Sequence, residues 1–286
     1  MKLMAYFRII RPSGCVMVSM IAVIGQVLAS GEIPESITVI PALLTGFSMT
    51  ASSFTINDYV DYEIDAINAP WRPIPSGKMT RGEALRLGVA LGLTGTLISL
   101  FTSLPACIVA VGSLILSVLY TVRGKYLGLL GHAMVALSIA STFVFGALTI
   151  LESVPPLVFG VFIVSFLYIL GGEVTQSIAD QEGDEAKVVR SMAIVRGRKA
   201  AATTATVCYI LTALAGALTS SLHGAGLGAY TLIIVFGTFT IISYITLPLL
   251  RDPDRETASK IRKRINYLAY MIITLLLVAA LVRARS

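Results

Sequence analysis

Two short segments of the chain carry acidic residues at helical spacing. The segment NDYVDYEID places Asp58, Asp61 and Asp65 at positions i, i+3 and i+7. The segment IADQEGDEAK places Asp180 and Asp184 at positions i and i+4. On a helix each set occupies one face, where like charges repel unless a cation lies between them. Oxygen ligands without a nearby His or Cys suit Mg²⁺, which proteins typically bind with one or two carboxylates and substrate phosphates, so we expect magnesium and a diphosphate here.

The second acidic segment repeats the first. A shift of 119 positions places Asp61 on Asp180 and Asp65 on Asp184. The other pairs in this register are Asn57 with Gln176, Asp58 with Ser177, and Glu63 with Glu182. The match indicates an internal repeat of span, acidic helix and basic loop. The alternative is that the acids pair with Lys and Arg on a solvated loop; the repetition favours a shared site.

Composition places these segments in a membrane protein. Of the 286 residues, 56% are apolar and only 13% are charged, against about 45–50% and about 25% in soluble domains. Mean hydropathy is +0.83. These values exclude a water-soluble globular protein. Three cysteines lie far apart in apolar runs, which argues against a disulfide framework or a zinc site.

Membrane spans need about 20 mostly apolar residues each. The sequence contains nine charge-free runs near that length, at 13–30, 37–56, 87–104, 105–122, 127–151, 154–172, 200–222, 227–250 and 265–282. With loops on alternating sides, 20 of the 22 Lys and Arg residues fall on the side of the N-terminus. Because basic residues collect in cytoplasmic loops, we expect a multi-pass protein of the cell membrane with a cytoplasmic N-terminus. The first span has an alternative interpretation as a cleavable signal peptide.

Both acidic segments fall in long cytoplasmic loops, 57–86 and 173–199, called here the cap segments. An even number of spans separates them, so both emerge on one side of the membrane and can face a common cavity. The net charge of +6 follows from the cytoplasmic basic residues and does not predict a nucleic-acid partner. Membrane lipids are the expected surroundings.

Side chains on the cytoplasmic side are candidates for binding substrate phosphates. Arg72 and Lys78 lie in NAPWRPIPSGK, which proline and glycine make rigid and rich in turns. The full candidate set is Arg11, Arg72, Lys78, Tyr120, Arg123, Lys125 and Arg190. Each basic member also has a simpler explanation as a residue that only sets the topology.

The stretch NDYVDYEIDAINAPWRPIPSG resembles the UbiA superfamily of intramembrane prenyltransferases. The superfamily motif NDxxDxxxD is matched by Asn57, Asp58, Asp61 and Asp65, and its later motif DxxxD by Asp180 and Asp184. The resemblance covers the whole chain and implies a single all-α domain, 1–286, with nine transmembrane helices around a central cavity. It also implies that the six motif residues are catalytic. Among them, Asn57, Asp61, Asp180 and Asp184, called here the clamp residues, would bind two Mg²⁺ ions.

Within the superfamily the chain is most similar to the archaeal subgroup that makes digeranylgeranylglyceryl phosphate. That similarity implies transfer of a geranylgeranyl group from geranylgeranyl diphosphate to the hydroxyl of geranylgeranylglyceryl phosphate. Gln176 and Ser177 stand where the subgroup usually has Lys and Asp, and Gly14 and His132 stand where it usually has Asn.

Two alternatives stay open at this point. Chlorophyll synthases share the RPIPSG tail, so chlorophyllide or an aromatic quinone precursor are alternative acceptors. A function of a different class, ion-coupled transport, is also typical of internal repeats with carboxylates at span ends. Against transport, none of the nine predicted spans has a charged residue at its centre.

Overall fold

The computed structural model describes residues 2–186, 189–222, 237 and 240–283. Within these residues the secondary structure is helical and no strand occurs. The helices of the N-terminal half are α1 Lys2–Ile9, α2 Pro12–Ser30, α3 Ser36–Val60, α4 Tyr62–Asn68, α5 Arg81–Ser99 and α6 Leu104–Val122. Those that follow are α7 Leu129–Leu148, α8 Pro156–Ala179, α9 Gln181–Ala186, α10 Met192–Arg196, α11 Arg198–Leu222, α12 Leu247–Arg251 and α13 Arg255–Arg283. Gly124–Tyr126 forms a 3₁₀ turn and Ile241–Thr246 a π-helical turn.

Six helical segments of the described chain are long and apolar enough to cross a membrane. They are Lys2–Ser30, α3, α6, α7, α8 and α11. Two more helices, α5 with 19 residues and α13 with 29, are long enough but begin with charged turns. Half of the predicted span 227–250 falls outside the described residues, as do Lys187, His223 and Arg285. The chain is therefore an all-α membrane protein, and the count of nine spans stays a prediction.

The outer surface of the bundle is apolar. Leu93 and Leu97 on α5, and Leu214 and Leu218 on α11, are between 59% and 61% exposed. Exposed apolar faces of this extent on long helices are typical of surfaces that contact lipid.

The internal repeat extends well beyond the acidic segments. Shifting α2, α3, α4 and α5 by 119 positions places their first residues within two positions of the starts of α7, α8, α9 and α11. In each half the same pair of helices packs together, α3 with α5 and α8 with α11. The two halves meet where α2 crosses α7. A Cβ on Gly146 would lie 2.0 Å from the carbonyl oxygen of Ala22, so only glycine permits this close contact.

Two helices extend beyond their predicted spans. Helix α3 continues beyond residue 56 to Val60, and α8 continues beyond residue 172 to Ala179. Both cap segments therefore begin inside a helix. Their first polar residues, Asn57 in one and Glu173 in the other, lie on the wall of the bundle and not in a loop.

Candidate active site

A cavity of about 470 Å³ lies between α2, α3, α6, α7 and α8 and opens at the end of the bundle that carries the acidic segments. Far from the acidic segments its wall is formed by apolar and hydroxyl side chains, including Met49, Phe145, Ser113 and Ser138. Its acidic residues are Asp61, Asp65, Glu173, Asp180 and Asp184, and its basic residues are Arg11, Arg72, Lys125 and Arg262. The arrangement combines a charged mouth with a largely apolar interior.

The first clamp carboxylate of each repeat lies where a long helix ends. Asp61 follows α3, and its backbone N–H donates to the carbonyl of Asn57 at 2.8 Å. Asp180 follows α8 in the same way and donates to the carbonyl of Gln176 at 3.0 Å. The negative end of a helix dipole adds to each carboxylate's own charge, so both positions attract cations.

The two repeats bring their acidic helices together. Helices α4 and α9 contact each other, which places Asp61 and Asp184 within electrostatic reach across the cavity. Burial raises the pKa of Asp184 to about 6, and the negative charges of Asp180 and Asp61 add to the rise. Burial also raises the pKa of Asp61, against the opposing effect of Lys125. An all-oxygen site whose carboxylates repel one another fits a hard divalent cation such as Mg²⁺.

Basic side chains neutralise the mouth of the cavity. Lys125 forms an ion pair with Asp61, and Arg262 on α13 donates to Asp180 at 3.1 Å. Asn57 accepts a hydrogen bond from Thr121 at 3.1 Å. Within the described ranges, no three His, Cys, Asp or Glu side chains surround a common point. Asp61 and Asp180, the clamp aspartates at the ends of long helices, therefore each have a basic side chain beside them.

Asp58 lies beneath the cavity wall and not on it. Its side chain is 2% exposed and forms ion pairs with Arg11 and with Arg72 Nη1, the latter at 3.2 Å. Arg72 also contacts both carboxylate oxygens of Asp65 at 2.6 Å, and these carboxylates raise its pKa. Arg11 adopts φ +49° and lies over the Phe54 ring. Asp58 therefore anchors two arginines that both line the cavity, which differs from the catalytic position predicted for it.

The structure divides the predicted phosphate-binding residues into two groups. Arg11, Arg72, Tyr120 and Lys125 line the cavity. Lys78 and Arg123 are exposed and do not line it. Arg190 lines a separate, shallow depression beside Tyr126 and Arg196. The spacing of these residues along the chain carried no information about which of them turn inward.

Three ionisable residues of the cavity wall were not predicted. Arg262 comes from the last helix, and its sequence neighbours give no sign of this position. Glu173 precedes Asp180 by seven residues, a spacing that places both on one face of α8 and could have identified it. His132 is buried, and its Nε2 accepts a 3.4 Å hydrogen bond from the backbone N–H of Met192.

Comparison with known proteins gives one consistent result. The profile described as the UbiA prenyltransferase family matches residues 18–276. Digeranylgeranylglyceryl phosphate synthase of Thermococcus kodakarensis is 34% identical over 283 residues, covering 99% of this chain and 100% of that protein. The protein of the same name from Methanocaldococcus jannaschii is 30% identical, covering 98% of this chain and 97% of that one.

Solved structures share the fold. A structure of digeranylgeranylglyceryl phosphate synthase superposes with a TM-score of 0.77 at 30% identity and covers 98% of this chain and 99% of that one. A UbiA homologue from Archaeoglobus fulgidus, bound to DMAPP and Mg²⁺, superposes with a TM-score of 0.74 at 16% identity, covering 96% and 98%. At 16% identity, the similarity to the A. fulgidus homologue shows only that the two proteins share a fold.

Proposed function

The chain belongs to the UbiA prenyltransferase family, and from this premise we propose that it transfers a geranylgeranyl group to geranylgeranylglyceryl phosphate. The donor is geranylgeranyl diphosphate and the product is the doubly prenylated glyceryl phosphate of archaeal ether lipids. The observation that carries the proposal is the cavity, in which both acidic repeats and four basic residues surround one charged mouth. Full-length similarity to synthases of this name supports the choice of acceptor. Family membership sets the transporter alternative aside.

The clamp residues would hold Mg²⁺, which, when bound, supplies countercharge to the diphosphate of the donor. The A. fulgidus homologue binds Mg²⁺ together with a prenyl diphosphate, which supports the same role here. Asn57, Asp61, Asp180 and Asp184 all line the cavity and offer only oxygen ligands of suitable hardness.

Side chains of the cavity bind the diphosphate, stabilise its charge and exclude water. Arg72 and Lys125 bind the diphosphate and stabilise the negative charge that grows on it as the bond to the allylic carbon breaks, which is usually the largest contribution to catalysis. The interior of the cavity encloses the prenyl chain and keeps water from the allylic cation. The acceptor hydroxyl then forms the ether bond to that carbon.

Placement in the bilayer follows from the substrates. A C20 chain gains about 0.8 kcal/mol for each buried CH₂ group, so both lipids reside in the membrane. We place the N-terminus and both cap segments in the cytoplasm, in a nine-span topology in the cell membrane, because 20 of the 22 basic residues then lie on one side.

The decisive experiment is product formation by the purified protein in detergent. We expect labelled geranylgeranyl diphosphate, geranylgeranylglyceryl phosphate and Mg²⁺ to yield the doubly prenylated lipid, identified by mass spectrometry. Omission of Mg²⁺ with a chelator should stop the reaction. Equal activity on a chlorophyllide or an aromatic acid would contradict the acceptor and leave the family assignment intact.

The acceptor's own phosphate requires a basic residue in the cavity. We expect Arg262→Gln to raise the KM of the acceptor by about tenfold to a hundredfold, since a hydrogen bond to a charged group contributes about 1.5–3 kcal/mol. The KM of the donor should rise less, and the measurement is steady-state kinetics with each substrate varied in turn. Arg86→Gln is the matched control, because Arg86 is an exposed arginine outside the cavity lining. A larger rise in the donor's KM would assign Arg262 to the diphosphate instead.

A further inference from the structure

Glu173 is an acidic residue of the cavity wall that the proposed binding of metal and diphosphate does not use. It lies on α8, seven residues before Asp180, which corresponds to about 10 Å along the helix axis. Asp61, Asp65 and Asp180 each pair with a basic side chain. Glu173, by contrast, makes no hydrogen bond or ion pair within the part of the chain that the structure describes.

An ionisable group on the wall of a cavity inside a helix bundle is costly to bury and is usually retained for a function. The basic residues of the cavity lie at its mouth, beside the cap segments, whereas Glu173 lies deeper along α8. It faces the interior near the phenol of Tyr120 on α6. The negative charge of the Glu173 carboxylate would repel the diphosphate of the donor, so Glu173 is unsuited to binding that group. Its carboxylate instead has lone pairs free to accept a proton.

The proposed reaction needs such a group. When the acceptor hydroxyl oxygen donates an electron pair to the allylic carbon, the new ether oxygen carries a proton that must leave. The electron pair of the broken carbon–oxygen bond departs with the diphosphate, whose oxygens the metal and the basic side chains at the mouth would hold, so a carboxylate on the interior side is better placed to take the proton. The prenyl chain extends inward from the diphosphate, which places the allylic carbon on the interior side of the clamp residues, towards Glu173.

We propose that Glu173 is the general base that takes the proton from the acceptor hydroxyl as the ether bond forms. This inference rests on the proposed function. The carboxylate then holds the proton and returns it to water through the mouth of the cavity after the product has left. Glu173 is thus a catalytic residue in contact with the acceptor and takes no part in binding the metal.

Other groups in the cavity are less suitable bases. Asp61, Asp180 and Asp184 would be occupied as metal ligands, and Asp65 is held by both oxygens to Arg72. The Nε2 of His132 accepts a hydrogen bond from Met192, so the ring proton lies on Nδ1 and neither nitrogen is free to accept another. A phenol such as Tyr120 keeps its proton at neutral pH.

The test measures which products the Glu173→Gln variant forms from the donor. We expect ether formation to fall by about a hundredfold or more, as general-base catalysis typically contributes, while the donor's KM changes by less than twofold. Ionisation of the donor should persist, so water captures the cation and the ratio of geranylgeraniol to ether product rises at least tenfold. Both products are measured by mass spectrometry in one reaction. Glu173→Asp, which keeps a carboxylate, should recover part of the ether formation.

Glu182→Gln is the matched control, because it removes one negative charge from the same cap segment at an exposed position paired with Arg255. We expect its ether formation to stay within twofold of wild type. Ether formation by Glu173→Gln within threefold of wild type would overturn the proposal. Parallel loss of geranylgeraniol and ether product would also overturn it, since that result indicates a structural role. If the wild-type protein itself forms no ether product, that result contradicts the proposed function and not the role of Glu173.

Discussion

Replacement of Asp180 or Asp61 by alanine is expected to lower the rate of prenyl transfer by about a thousandfold or more, by loss of the charge stabilisation that a metal ligand provides. Both side chains lie at helix ends and are partly exposed to the cavity, 30% for Asp180 and 16% for Asp61. Their removal deletes little apolar packing, so expression and membrane insertion should stay normal. Activity is measured with saturating donor, acceptor and Mg²⁺.

The control for this pair is Glu185→Ala, which removes a carboxylate from α9, the short acidic helix that follows Asp180. Glu185 is exposed, and within the described part of the chain its carboxylate accepts a hydrogen bond from Gln181 and does not line the cavity, so its variant should retain at least half of the wild-type rate. Near-normal turnover by either aspartate variant would show that the two repeats do not share one metal site.

Asp58→Ala is expected to destabilise the protein more than any change at the cavity surface. Asp58 is buried between Arg11 and Arg72, and removing one member of a buried ion pair typically costs about 3–5 kcal/mol. For a chain of this size that corresponds to a fall in unfolding temperature of about 5–8 °C. Thermal unfolding in detergent, followed by loss of monodisperse protein, measures the shift.

The matched control for Asp58 is an ion pair at the surface. Lys260 pairs with Glu256, and both side chains are well exposed, at 65% and 77%. Such pairs contribute little to stability, so Lys260→Ala should unfold within about 2 °C of wild type. If Asp58→Ala unfolds normally but loses activity as Asp61→Ala does, Asp58 acts at the metal site and not as an anchor for the arginines.

The internal repeat explains why the acidic residues of two distant segments meet. Helices α3 and α8 occupy equivalent places in the two halves, and each breaks at an aspartate that precedes a short acidic helix. Because α2 and α7 cross closely at Gly146 and Ala22, the halves share one interior. A site assembled from equivalent helix ends concentrates negative charge from both carboxylates and helix dipoles at one point.

The amino-acid sequence by itself determined the class of protein and the location of the acidic clusters. Because the apolar fraction is high, most helices must pack against lipid or against one another. The spacing of Asp61 and Asp65, repeated at Asp180 and Asp184, indicated two helical faces that converge. These features could be predicted because they depend on composition and on local helix geometry, which the chain specifies without reference to distant residues.

Only the tertiary structure decided which side chains turn toward the cavity. In a membrane helix the lipid-facing and protein-facing sides are both apolar, so hydropathy does not indicate rotation about the helix axis. That is why Asp58 is an anchor beneath the wall, and why Lys78 and Arg123 lie outside the cavity. Hydropathy also did not show where α3 and α8 end, because backbone hydrogen bonds continue a helix through polar residues that hydropathy counts as loop. For that reason Glu173 belongs to α8 and lines the cavity near Tyr120 of α6.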